Sequence, residues 1–212
     1  MNSSQAKIDF KWTQEIWQSA EKLASPNNTE REKALDFLTE QGAPQKSPLI
    51  AYLIVSMISD PVLDTRFHVV QILGSIIGDT SRSECCSDQV LSYIQSYLAR
   101  INRDQILDLL AVAVQYLSAE QSLIELFKLC SYAGNILNGI VNDRKLPVQV
   151  RRSALFYCGE VGFMDTITTI QGLISRVENR DMNRSKSAER KRFRDENDLY
   201  SFAVTALEKL ES

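Results

Sequence analysis

The chain has 212 residues, 44% hydrophobic and 24% charged, with a net charge of −3, values that suit one sizeable core or one uninterrupted stack of repeats. Its 8 Gly and 5 Pro are too few for a sheet protein rich in tight turns, and this composition is not that of a disordered chain. The longest nearly unbroken apolar stretch, Leu49 to Ile58, is about half of the roughly 20 residues that cross a bilayer. No secretory signal opens the chain, so the expectation is a soluble, cytoplasmic protein without membrane contact.

Helical periodicity predicts helices over 11–24, 29–41, 47–59, 61–78, 87–101, 102–117, 119–142, 147–162, 164–179 and 196–211. The long seventh helix is open to a break near Gly134. The first helix holds both tryptophans, Trp12 and Trp17. Five residues put them about 140° apart on a helix, which predicts separate faces and an anchoring role rather than a shared clamp. Helix starts are marked by Ser47-Pro48 and Asp60-Pro61, each a capping side chain before a proline whose missing N–H costs nothing in a first turn. Thr29 with Glu32, Asn102 with Gln105, and Ser118 with Gln121 have capping-box spacing or a close variant of it.

Four helices share one signature. Arg31, Arg66, Arg103 and Arg151 are each followed at +3, +4 and +7 by apolar residues. These are Ala34, Leu35 and Leu38; Val69, Val70 and Leu73; Ile106, Leu107 and Leu110; and Ala154, Leu155 and Cys158. Such offsets lie on one helical face, so each helix is expected to bury the same stripe. At +8 stand the small residues Thr39, Gly74, Ala111 and Gly159, where a neighbouring backbone can approach. The arginines recur at the spacing of two-helix repeats, and a hairpin that cannot bury its apolar face alone must stack.

Asp60-Pro61-Val62-Leu63-Asp64-Thr65-Arg66, continuing to Gly74, and Pro147-Val148-Gln149-Val150-Arg151, continuing to Gly159, resemble the first helix of a HEAT repeat. The resemblance covers roughly residues 29–179. It implies an all-α fold, an α-α superhelix of stacked antiparallel helix pairs forming a HEAT-like solenoid. The expected single domain has an N-terminal capping helix in 11–28, repeats over 29–179, a basic and flexible segment over 180–195, and a C-terminal capping helix over 196–211. Lys145 and Ser25 stand six residues before Arg151 and Arg31, so the family's Asp-to-Arg ladder between repeats cannot be complete.

No HExxH, phosphate-binding glycine loop or GxSxG occurs. His68, the single histidine, lies off the common stripe and is expected to be a partly exposed surface residue. Cys85, Cys86, Cys130 and Cys158 form no ligand set; a reducing compartment suits them, with a covalent or redox role for the Cys85–Cys86 pair the alternative. No cofactor or metal is expected.

Solenoids bind partners along a curved surface, which the resemblance assigns to the second helix of each pair. The leading expectation is therefore a non-catalytic protein-binding scaffold or adaptor, with Gln95, Arg100, Glu125, Lys128 and Arg176 as candidate contacts. Two alternatives use similar scaffolds: the HEAT-like alkyl-base DNA glycosylases and the bilin lyases and related chaperones. The acidic net charge disfavours nucleic acid. Residues 179–195 are the local exception, with seven cations against three acids. Within them Arg190, Lys191, Arg192 and Arg194 are either part of a solvated insertion or a docking arm for an acidic partner or RNA.

Overall fold

The computed structural model describes residues 12–78, 88–182 and 190–212, with backbone only for 180–182 and 190–196. Every regular element among the described residues is helical. They gather into two compact units, Met1–Arg100 with Gln121–Leu129, and Ile101–Glu120 with Cys130–Ser212.

In the first unit α1 (Gln14–Lys22), α2 (Asn28–Glu40), the short α3 (Ala43–Lys46), α4 (Pro48–Ser56), α5 (Leu63–Gly78) and α6 (Asp88–Leu98) follow in order. Thr13, Asn27 and Ser47 cap α1, α2 and α4 through their side chains, each satisfying an orphan backbone N–H. Gly42 takes φ +60°, the left-handed conformation that glycine adopts without strain, and so turns α2 into α3. Met57–Ser59 continues α4 as one 3-10 turn. α1 packs on α2, α2 on α5, and α4 on α6.

In the second unit α7 (Arg103–Gln115), α9 (Ala133–Asn142), α10 (Val148–Val161), α11 (Ile167–Met182) and α12 (Arg190–Glu211) assemble around α10, which packs on α7, α9 and α12. Asn102 and Gln105 form the expected capping box. Gly162 (φ +81°) ends α10, with the Phe163 N–H donating to the Cys158 carbonyl at 3.1 Å, a left-handed C-terminal cap.

Eleven of the twelve stripe residues are buried, Leu107 being half-buried. Two of the small positions work as expected. A Cβ on Gly74 would lie 2.8 Å from Ser122 Cα, on α8 (Glu120–Lys128), and one on Gly159 would lie 2.9 Å from Ala206 Cα. The stretch expected as 119–142 divides into α8 and α9, but the break falls at 129–132 and Gly134 lies inside α9. Gly134 is there for space: a Cβ would meet the Asp165 carboxylate at 2.4 Å.

Three of the four repeated arginines, Arg31, Arg103 and Arg151, tie one segment to another. Arg31 is buried; its Nε and Nη2 donate to the two Asp60 oxygens at 2.8 and 2.9 Å, and its Nη1 to the Ser25 carbonyl at 2.9 Å. Arg103 Nη2 donates to Asp143 at 2.6 Å, and the buried Arg151 turns its Nε to the Val141 carbonyl at 2.8 Å. The hydrogen bond from the Lys145 N–H, with help from Arg103, holds the Asp143 carboxyl below the ordinary carboxylate value. Arg31 and Arg103 thus fasten the helices they begin to carboxylates standing just before a later helix, whereas Arg151 reaches back to a main-chain carbonyl near the end of α9.

Candidate functional site

α1 starts in a way that overturns the expected separation of its tryptophans. Thr13 is the N-cap and accepts from the Ile16 N–H at 3.3 Å. Trp12 therefore lies before the helix instead of in its first turn, and the 140° spacing does not apply. It occupies the position preceding the cap, Trp17 the fourth helical position, and the two rings meet edge to face with centroids 5.5 Å apart. This is the hydrophobic staple that fixes how a chain enters a helix. The Trp17 indole N–H donates to Glu21 Oε1 at 2.8 Å, one turn on, which holds that ring in place. Backbone hydrogen bonding at the helix start, helped by the Thr13 hydroxyl, keeps Glu15 below the ordinary carboxylate value.

The stapled pair forms one wall of an open groove of about 740 Å³. Its other lining residues are Ser47, Pro48, Leu49 and Tyr52 at the start of α4, and Tyr93 on α6. α4 presents Leu49 and Tyr52 three residues apart on its outer face, while Ile50, Ala51, Ile54 and Val55 are buried. Tyr97, one turn beyond Tyr93, braces Tyr52 edge to face at 6.0 Å. Trp12, Trp17, Leu49, Tyr52 and Tyr93 are each between 39% and 52% exposed. These apolar and aromatic side chains form one contiguous exposed surface and are not scattered singly.

Among the described residues, no lysine or arginine lines the groove. Lys46, next in sequence to Ser47, points its ammonium at Gly42. Ser47 is buried and its hydroxyl accepts from the Ile50 N–H; the Glu21 carboxylate stands at the edge of the Trp17 ring.

The groove contains none of the residues expected from sequence to make contacts. Gln95 and Arg100 are exposed, on and just past α6. Glu125 and Lys128 pair with each other at 3.0 Å along α8, and Arg176 Nη2 on α11 donates to Asn142 Oδ1 at 3.4 Å. Arg190, Lys191, Arg192 and Arg194 fall in the first turns of α12, where only the backbone is described. Of the segment expected as flexible over 180–195, residues 180–182 end α11 and 190–195 begin α12; 183–189 lie outside the described residues, as do Cys85 and Cys86.

Chemistry of other kinds finds little support among the described residues. No group of three or more His, Cys, Asp and Glu is placed to hold a metal, and no helix is long and apolar enough to cross a membrane. His68 is partly exposed, with Nε2 3.6 Å from Asp36. Burial pushes the Cys130 and Cys158 thiols up to about 12, so neither is a nucleophile near neutral pH. Sequence reasoning missed Leu49, Tyr52 and Tyr93. The available signal was their position off the buried stripe of strongly helical segments. No protein-family model, curated protein or solved structure matches the chain.

Proposed function

We propose that this chain is a non-catalytic scaffold of HEAT-like stacked helix pairs, a solenoid, that binds a partner protein in a reducing, cytoplasmic setting. The observation that carries the reading is the exposed aromatic groove of the first unit, walled by α1, α4 and α6. The buried Arg/+3/+4/+7 stripes support the repeat character, as do the clasps Arg31–Asp60 and Arg103–Asp143. Buried thiols at Cys130 and Cys158, neither of them in a disulfide, suit a reducing compartment. A glycosylase of the HEAT-like kind would need its aromatic and carboxylate within a basic groove to hold the phosphate backbone. Here rings and carboxylate are together, but no cation lines the groove among the described residues, and the net charge of −3 likewise favours protein over nucleic acid.

The test is site-directed photo-crosslinking in the native host, with p-benzoylphenylalanine in place of Tyr93 and, as a control, of the exposed Tyr132. The expected result is one discrete protein adduct from position 93, absent from position 132 and lost with Tyr52→Ala. The adducted protein, purified, should bind the full chain in solution. Adducts that are equal at both positions, or no adduct at all, would refute the reading.

A further inference from the structure

We draw no further inference here: the strongest candidate, the exposed aromatic groove of the first unit between α1, α4 and α6, belongs to the site already described, and nothing in the structure shows what covers it.

Discussion

Gly139 and Gly159 belong to the same unit and both lie inside helices, yet replacing each by alanine should move stability in opposite directions. Gly139 on α9 is exposed, and a Cβ there would meet nothing within 4 Å. Only the backbone preference changes, and alanine should stabilise by about 0.5–1 kcal/mol. At Gly159 the same preference is gained, but the new Cβ would lie 2.9 Å from Ala206 Cα and 3.2 Å from Ala206 Cβ. Carbon atoms pack comfortably at about 3.5–4.0 Å, so α10 and α12 must move apart by several tenths of an ångström. The nearest atom is backbone and cannot rotate away. Overpacking of this kind costs about 1–3 kcal/mol. After the propensity gain, Gly159→Ala should be net destabilising by up to about 2 kcal/mol. Urea unfolding of the two variants reads the difference directly, provided the slope with denaturant is unchanged, so that a midpoint shift reports stability and not compactness. A Gly159→Ala midpoint raised as much as that of Gly139→Ala would refute the close approach of α10 and α12. Gly159→Leu and Gly74→Leu enlarge the same perturbation, and each should lower the midpoint further.

Asp60→Ala should destabilise by about 3–5 kcal/mol, because it strands the Arg31 guanidinium with its side chain 8% exposed and without its bidentate partner; Arg31→Met combined with Asp60→Asn should cost clearly less than the two single changes added, as a thermal-melt double-mutant cycle would show. Stability should fall as pH rises from about 9 to about 12: the unfolded thiols ionise near 9, while burial holds those of Cys130 and Cys158 protonated to about 12 and pushes the Tyr157 hydroxyl up in the same direction, so the folded state binds the extra protons throughout that window. Urea midpoints measured at pH 8 and pH 10 check this, and the fall should shrink in Cys130→Ala. Replacing Arg190, Lys191, Arg192 and Arg194 together by serine should leave the melting temperature within a few degrees of the parent and, if these residues form a docking arm, weaken a salt-sensitive partner interaction.

The buried half of each helix was legible because burial imposes a period. A +3/+4/+7 stripe can be read wherever it repeats, and the +8 residue named two positions, Gly74 and Gly159, at which backbones do meet side by side. Features without a periodic cost were harder to read. α3 is one turn containing Pro44, too short to show a period. The break at 129–132 has neither glycine nor proline, and Gly134 drew attention as a breaker although its role is to admit Asp165. Asp143 was passed over because it stands eight residues before Arg151 and not six; side-chain reach, not register, decides whether Arg103 finds it.

The groove was less legible for a different reason. Its aromatics come from three segments, 12–17, 48–52 and 93, and each looks locally like an ordinary exposed residue on the polar side of a helix. Periodicity says which face turns inward; it does not say which outward faces end up side by side, since that depends on how α4 pairs with α6 and how the chain enters α1. The entry could have been read: Thr13 is a capping residue, and a large apolar residue before it with another four after it is the staple pattern. Once Trp12 is placed outside the helix, the two indoles must meet. Burying a side chain of this size contributes about 1.5–3 kcal/mol, and this chain buries its stripes almost completely while leaving two tryptophans and two tyrosines half exposed on one contiguous surface. On the proposed reading, that contiguous surface is the part of the first unit that a partner protein would cover.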